Sequence, residues 1–139
     1  MVARSTDCPD GWLAFEGSCY LFGHTPAHFT EAQHFCAQHG GSLIHVDLAM
    51  ENDFIRTYIR DLHQSDSHHW WLGLTDVLVE GHFKWVDTNT PATFLGWAPG
   101  EEFTLNEDCA AFYNSLDFKW ADVGCELNDI IPLCEISSV

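Results

Sequence analysis

Six cysteines in a chain of 139 residues constrain the fold more strongly than any other feature of this sequence. They occupy positions 8, 19, 36, 109, 125 and 134. An even number of cysteines in a short chain favours disulfide bonds and an oxidising, extracellular compartment. The nine histidines make zinc the competing interpretation, but no Cys-x-x-Cys pair occurs. The residues alone leave the pairing of the cysteines open.

The composition indicates one globular domain with a hydrophobic core. Hydrophobic residues make up 46% of the chain and charged residues 19%, which excludes a disordered protein. The formal net charge of −16 argues against nucleic acid and anionic membranes as partners. No apolar run approaches the roughly 20 residues that span a bilayer, so we expect no membrane insertion. Most of the 21 acids are expected to form a solvated surface.

A single domain is expected over residues 8–136. The first residues are too few and too polar for a signal peptide. We therefore expect residues 1–7 to be an N-terminal extension or residues added for expression, with a start codon in place of a natural signal peptide.

The hydrophobic pattern predicts two helices followed by short strands. A hairpin over residues 12–22 comes first. Thr25 is expected to cap the first helix and Pro26 to occupy its first position. A second helix is predicted over residues 49–62 from the helical spacing of its apolar residues. Strands are predicted at 42–46, 70–74, 83–86, 110–113, 119–122 and 131–135. This order of elements indicates an α+β fold.

A long loop is predicted over residues 87–106, and loops of about 20 residues in compact domains are usually functional. Acids and a side-chain amide gather at its end, in the run Glu101-Glu102-Phe103-Thr104-Leu105-Asn106-Glu107-Asp108. A further acid, Asp122, returns two residues after Trp120. Oxygen ligands gathered on loops are what a hard cation such as calcium needs.

Several motifs follow one another along the chain. They are Cys8-Pro9-x-Gly11-Trp12, Cys19-Tyr20, Cys36 on a helix, Trp71-Leu72-Gly73-Leu74, Glu107-Asp108-Cys109, Trp120-x-Asp122, Cys125 and Cys134-Glu135. Together they make nearly the whole chain resemble a C-type lectin-like domain. The resemblance implies two helices, short antiparallel sheets, a long ligand-binding loop and the disulfides Cys8–Cys19, Cys36–Cys134 and Cys109–Cys125. The first disulfide is typical of the long form of the domain in secreted lectins, and we expect a mollusc-type or similar invertebrate lectin.

The sugar site that the resemblance implies is only partly present. In the family, a calcium ion bonds two sugar hydroxyls and is held by a Glu-Pro-Asn or Gln-Pro-Asp tripeptide, a Glu before Asp-Cys, and a Trp-Asn-Asp motif. Glu101, Glu107 and Asp122 match three of these positions. Glu102 and Phe103 replace the rest of the tripeptide, and an alanine replaces the asparagine of the last motif. Since Phe and Ala side chains cannot ligate a cation, we expect the usual hydroxyl recognition to be lost or changed.

The resemblance also implies an auxiliary calcium site. Asp76 and Glu80 match it, and Glu107 and Asp108 would complete it. The alternative is a solvated turn that carries two ordinary acids.

The resemblance implies a third calcium site, present in some members of the family, which would pair Glu51 with Glu135, aided by the carbonyl of His45. The alternative is a glutamate at a helix start and an exposed glutamate near the C-terminus.

Aromatic residues near the long loop are candidates for ligand contact. Phe103 stands among glutamates, where no structural reason requires an aromatic residue, so we expect it to contact ligand or a partner subunit. Asp117 and Phe118, in the loop opposite, are expected to share that surface. Trp97 and Trp120 are expected in the core.

His68 and His69 are adjacent histidines in a polar loop. A zinc or pH-switch role for His68 and His69 is the alternative to two exposed histidines. We recognise no catalytic constellation and expect a protein that is not an enzyme.

The sequence therefore predicts a secreted, non-catalytic, carbohydrate-binding lectin that uses calcium and acts in innate recognition or agglutination. Weak affinity for glycans at each site would require a homodimer or a larger oligomer. The alternative is a protein- or mineral-binding domain of the same family that does not bind sugar.

Overall fold

The computed structural model describes residues 8–62, 68–79, 81–100 and 107–137. Two helices and nine short strands are assigned within these ranges, in agreement with the expected α+β class. The helices are α1 (Phe29–Gln38) and α2 (Ala49–Leu62). The strands are β1 (Leu13–Phe15), β2 (Ser18–Phe22), β3 (Ser42–Leu43), β4 (His69–Thr75), β5 (Lys84–Trp85), β6 (Cys109–Tyr113), β7 (Lys119–Val123), β8 (Ile130–Ile131) and β9 (Leu133–Ser137).

The first of two sheets joins the two ends of the described chain. Its strand order is β1-β2-β9-β3, and all its pairs are antiparallel. The last strand, β9, therefore lies between two strands from the first third of the sequence, with Tyr20 opposite Glu135 and Leu43 opposite Cys134. We call this sheet A.

The second sheet, sheet B, carries the functional candidates. Its order is β5-β4-β6-β7, with antiparallel pairs, and β8 pairs in parallel with β4. The single strand predicted over residues 131–135 is divided at Pro132 between the two sheets, since β8 belongs to sheet B and β9 to sheet A. Pro132 has no N–H to donate to either ladder.

Strand β4 is buried on both faces, as its aromatic content indicates. Trp70, Leu72 and Leu74 pack in one core cluster with residues of α2, among them Ile55 and Ile59. The intervening Trp71 packs in a second cluster with residues of α1, which include Phe29, Ala32 and Cys36. The alternation follows from the two-residue period of a strand. Each helix thus covers a different face of the same strand.

All six cysteines are paired, and the predicted connectivity is confirmed. The bonds are Cys8–Cys19, Cys36–Cys134 and Cys109–Cys125, which close separations of 11, 98 and 16 residues. Cys36–Cys134 joins α1 to β9, and Cys109–Cys125 lies beside the acids that precede β6. The bonds therefore fix the hairpin, the sheet A–helix contact and the end of sheet B.

The predicted start of α1 is wrong. Its N-cap is His28, whose ring Nδ1 accepts from the N–H of Glu31 at 3.3 Å, and the Glu31 side chain accepts from the N–H of His28 in return. Thr25 and Pro26 precede the helix because the N–H of Ala27 donates to the carbonyl of Ile130 at 2.9 Å, which holds this segment alongside β8. A long-range bond has overridden a favourable local sequence.

The strand predicted over residues 42–46 is also shorter than expected. After Leu43, the chain bridges the two sheets instead of continuing the ladder: Ile44 donates to the carbonyl of Leu133 in sheet A and accepts from Gly73 in sheet B. A Cβ on Gly73 would lie 2.8 Å from the carbonyl oxygen of Leu43, so only glycine permits this close approach.

Candidate functional site

Three aspartates lie at one end of sheet B. Thr75 at the end of β4 is paired with Cys109 at the start of β6, and Cys109 is paired with Val123 at the end of β7. This register brings the neighbouring Asp76, Asp108 and Asp122 to the same edge. The backbone N–H of Asp76 donates to the carbonyl of Asp108 at 3.0 Å, which fixes the first two side by side.

Two of the three aspartates are poorly accessible to water, and Asp108 is partly exposed. Asp76 and Asp122 are each 2% exposed. Asp76 Oδ2 accepts from the N–H of Gly81 at 2.8 Å, so this carboxylate closes the turn after β4. Asp108 Oδ1 is buried and has no hydrogen-bond partner among the described residues. Such an atom is costly unless a donor or a cation satisfies it, and a hard cation would suit the oxygen donors at this edge.

Much of the predicted site lies outside the described residues. This applies to Glu80, Glu101, Glu102, Phe103 and Asn106. Glu107 is the first described residue after that gap and is partly exposed. Within the described ranges, no group of three or more His, Cys, Asp or Glu side chains is placed to hold a metal ion. The calcium sites therefore remain predictions, and the auxiliary site depends on Glu80 for completion.

Trp120 holds residues 96–98 of the long loop against sheet B. The backbone N–H of Trp120 donates to the carbonyl of Gly96 at 2.9 Å, and the backbone carbonyl of Trp120 accepts from the N–H of Ala98 at 2.8 Å. A Cβ on Gly96 would lie 2.8 Å from the indole of Trp120, so the backbone packs directly on the ring. Trp120 is fully buried, as expected, whereas Trp97 is partly buried and packs edge-on against it. These contacts place the chain leading to residue 101 beside the strand that carries Asp122.

Helix α2 is tied to the same tryptophan. The indole N–H of Trp120 donates to Oδ1 of Asn52 at 2.9 Å, a bond between two buried side chains. The ring also meets Trp85 and Phe94 in edge-to-face contacts at 5.9 and 5.7 Å. Trp120 thus links α2, sheet B and the long loop through one side chain.

Asp117 and Phe118 take up contacts with α2 and the core. Asp117 accepts from Arg56 and Arg60, each at 3.1 Å between side chains. Phe118 is 5% exposed and belongs to the core cluster beneath α2. Both residues have positive φ angles, 56° and 58°, which turn the chain sharply before β7. These contacts account for the positions of both residues, which therefore face α2 and the core.

The third predicted site corresponds to a cavity of about 530 Å³ between the β1–β2 hairpin, α2 and β9. Glu51 accepts from the hydroxyl of Tyr20 at 2.5 Å and from the N–H of Asp47 at 3.2 Å. Glu135 accepts from the N–H of His45 at 3.0 Å. Both glutamates line the cavity. The two carboxylates are oxygen ligands of the kind that calcium prefers, although the contact observed from His45 is through its N–H.

His45 lines this cavity together with Asp47 and Asp87, an arrangement that the sequence did not indicate. His45 stacks on Trp85 with ring centroids 4.4 Å apart, and its Nδ1 and Nε2 lie 2.8 Å from carboxylate oxygens of Asp87 and Asp47. Burial opposes the charged ring, but the bonds and charges of Asp87 and Asp47 outweigh it and raise the pKa of His45. Asp87 is 42 residues away along the chain, so no local pattern could have indicated the contact.

Burial also raises the pKa values of the two glutamates of the cavity. It raises the pKa of Glu135 to about 7, and the neighbouring charge of Glu51 adds to the effect. It raises the pKa of Glu51 as well, against the opposing hydrogen bonds from Tyr20 and Asp47. Burial together with the bond to Glu51 raises the pKa of the Tyr20 phenol far above its usual value, so the phenol is the donor. The site therefore disfavours two negative charges unless a cation is present.

We expect this cavity to make the stability of the chelator-treated protein depend on pH. Because the pKa of Glu135 is raised from 4.5 to about 7 on folding, its contribution is fully present below pH 4.5 and is lost as pH rises through about 7. The expected loss between pH 4.5 and pH 8 is about 3 kcal/mol in the free energy of unfolding relative to Glu135→Gln. Urea denaturation of both proteins across this range measures the difference.

The glutamine variant is a matched control because it keeps an oxygen acceptor for the N–H of His45 without the ionisable group. Parallel pH profiles for the two proteins would contradict the expectation. Added calcium at pH 8 should restore stability to the natural chain and not to the variant if Glu51 and Glu135 hold an ion.

One of the two adjacent histidines, His69, makes structural contacts. His69 stacks on Tyr113 with centroids 3.8 Å apart, and its Nδ1 accepts from the N–H of Asn114 at 2.9 Å. Burial lowers the pKa of His69, which keeps this nitrogen free of a proton and able to accept. A zinc or switch role for His68 and His69 stays a prediction.

Comparison with known proteins places these features in a family. The family model described as "Lectin C-type domain" matches residues 25–135. A perlucin-like protein of Mytilus galloprovincialis is 27% identical over 131 residues, which cover 92% of this chain and 82% of that protein. The chain spans only 30%, 39% and 38% of three further curated relatives, so it corresponds to one part of those longer proteins.

Two solved structures are similar in sequence and fold. The Ca²⁺-independent C-type lectin SPL-2 from Saxidomus purpuratus is 33% identical, with a TM-score of 0.85 over 97% of each chain. The structure titled as an SPL-1–GlcNAc complex is 30% identical, with a TM-score of 0.85 over 96% of this chain and 98% of the other. Among the described residues, no helix is long and apolar enough to cross a membrane.

Proposed function

Because the chain belongs to the C-type lectin domain family, a family of non-catalytic binding domains, we propose that it binds glycans at the end of sheet B. The observation that carries the proposal is that Asp76, Asp108 and Asp122 lie at that edge, beside residues 96–98 of the long loop. Since Asp76 and Asp122 are each 2% exposed, these aspartates would shape the edge of the site, and the adjoining loop would contact the sugar hydroxyls. The similarity to a lectin captured with GlcNAc supports a sugar as the ligand.

The proposal assigns calcium a supporting role. Asp76, Glu80, Glu107 and Asp108 would hold one ion, which would supply the positive charge that these acids need when they are close together. Asp108 Oδ1, buried without a hydrogen-bond partner in the described part of the chain, is the atom that most requires it. Sugar contact itself would come from the segment 101–107 and its surroundings, with Phe103 against the apolar face of a sugar ring. The similarity to a Ca²⁺-independent lectin supports this division of roles.

An extracellular location and an oligomer are parts of the same proposal. Three disulfides support an oxidising compartment. A shallow site that contacts a few hydroxyls gives weak binding at each domain, so recognition or agglutination of a glycan-bearing surface would require a dimer or larger assembly.

Calcium titration and glycan binding together test the proposal. We expect Glu107→Gln to weaken one calcium-binding event at least about tenfold, which corresponds to about 1.4 kcal/mol, whereas Asp122→Asn leaves it within about twofold. Calorimetry on chelator-stripped protein measures both. Asp10→Asn is the control, since Asp10 is an exposed acid in a different part of the chain.

The glycan measurement uses an array that includes GlcNAc, with and without chelator. We expect binding that survives chelation and is lost in Phe103→Ala. Binding abolished by chelator, together with loss of a calcium event in Asp122→Asn, would show instead that an ion contacts the sugar directly. No glycan signal in either condition, with retained binding to a protein or to calcium carbonate, would overturn the proposal in favour of the protein- or mineral-binding alternative, which the net charge of −16 supports.

A further inference from the structure

A second surface lies along α2, and it shares no residue with the proposed sugar site. It is a groove of about 530 Å³ between the helix and the turn of the β1–β2 hairpin. Its lining residues are Phe15, Glu16, Met50, Asp53, Phe54, Thr57, Tyr58 and Asp61. The helical members recur at spacings of three and four residues, so they form one continuous stripe along the helix. We call this surface the α2 groove.

The floor of the α2 groove is apolar and mostly aromatic. Phe15 stacks on Phe54 with ring centroids 3.9 Å apart and an interplanar angle of 7°. The ring of Tyr58 lies 6.2 Å from that of Phe54, and Met50 at the end of the stripe is 54% exposed. Aromatic faces of this kind attract both apolar groups and cations.

The rim of the groove is acidic and lacks cations. Glu16, Asp53 and Asp61 line it, and there is no Lys or Arg among its lining residues. The two cations of α2 are directed elsewhere, since Arg56 and Arg60 both donate to Asp117. Arg56 approaches Asp53 only at 4.0 Å. Among the described residues, the exposed Glu16 and Asp61 have no ion-pair partner, so their charges are available to an external partner.

We propose that the α2 groove is a docking surface for a basic, amphipathic peptide segment of a partner protein. The apolar floor would accept its hydrophobic side chains, while Lys or Arg side chains would reach the acids of the rim. Positions 50 and 61 are about 16 Å apart along the helix axis, a length that about five extended residues would cover. We choose a basic segment as the occupant because its positive charge is complementary to the acidic rim.

A second copy of this chain does not match the groove. The chain has five Lys and Arg residues, at positions 4, 56, 60, 84 and 119. Only Arg56 and Arg60 lie close together in sequence, and both are bound to Asp117. No segment of this protein therefore offers the run of free cations that the rim requires.

The test uses a synthetic twelve-residue peptide in which Lys and Leu alternate one by one, so that an extended chain has one basic and one apolar face, and the same peptide with Glu in place of Lys. The groove variant is Thr57→Lys with Asp61→Lys, which adds cations to the exposed stripe without removing core packing. The matched control is Asp10→Lys with Gln38→Lys, which changes the net charge by the same amount at exposed positions outside the groove. Fluorescence anisotropy of the labelled peptides measures affinity in chelator, and thermal melts confirm folding.

We expect the Lys peptide to bind the natural chain and the control variant within about threefold of one another, and the groove variant at least about tenfold more weakly. An equal weakening in both variants would show general attraction to an acidic protein and would overturn the proposal. So would equal binding of the Glu peptide, or a change in oligomeric state in the groove variant alone, which would assign the surface to a second copy. Loss of glycan binding leaves this result unaffected, because the two surfaces share no residue.

Discussion

Paired replacement of Cys36 and Cys134 by alanine is expected to lower the free energy of unfolding by about 4.7 kcal/mol, since a cross-link that closes about 98 residues strongly restricts the unfolded chain. Both cysteines are fully buried, so the two missing sulfurs add a packing cost. The bond also joins α1 to the central strand of sheet A, and its loss should weaken the contact between them. Guanidinium chloride denaturation under non-reducing conditions measures the change.

The hairpin disulfide provides the comparison. Cys8 and Cys19 are separated by 11 residues, and their replacement by alanine should cost about 2.8 kcal/mol by the same relation. We expect loss of Cys36–Cys134 to lower the free energy of unfolding more than loss of Cys8–Cys19, whatever the absolute values. Equal destabilisation would show that restriction of the unfolded chain is not the main contribution of these bonds.

Replacement of Trp120 by alanine is expected to lower the free energy of unfolding by about 4 kcal/mol. The indole is fully buried among aromatic rings from β5 and the long loop, and its N–H is the partner of the buried Asn52 carbonyl. The cavity and the unpaired amide oxygen both contribute to the cost. The variant should also lose the packing that holds Gly96 to Ala98 against β7, so glycan binding should fall beyond what the stability change explains.

Two further variants separate the contributions of Trp120. Trp120→Phe keeps most of the ring but removes the donor to Asn52, and should cost about 1–2 kcal/mol. Trp97→Ala removes a ring that is only partly buried, and should cost less than half as much as Trp120→Ala. A cost below about 1 kcal/mol for Trp120→Ala would contradict its assigned role as the link between α2, sheet B and the long loop.

The sequence predicted those helices and strands whose formation depends on neighbouring residues in the chain. The helix over residues 49–62 and the buried strand around Trp71 follow from apolar spacing and aromatic content, and both are confirmed. The start of α1 was misjudged because Thr25-Pro26 is a good local start, whereas the N–H of Ala27 is committed to Ile130, about a hundred residues away. The parallel pairing of β8 with β4 has no sequence signal at all, since it depends on how Pro132 passes the chain between two sheets.

In the candidate site, too, some positions follow from local motifs and others depend on long-range contacts. The aspartates at positions 76, 108 and 122 were identified from motifs, and the strand register brings them to one edge. The position of Asp117 depends on Arg56 and Arg60, which lie 61 and 57 residues earlier. Adjacency to Trp120 in sequence suggested a shared ligand surface, but the positive φ angles at 117 and 118 direct the two side chains to α2 and the core. Local sequence does not reveal which way such a turn will face.

The position of β9 has a consequence for biosynthesis. A ribosome releases the chain from its N-terminus, so β2 and β3 emerge long before the strand that must lie between them. Until residues 133–137 appear, sheet A has two exposed strand edges and Cys36 has no partner. Unpaired edges and a free thiol invite wrong contacts with other chains and wrong disulfides. Completion of this domain is therefore expected to be a late event, and an oxidoreductase that delays pairing of Cys36 should raise the yield of correctly bonded protein.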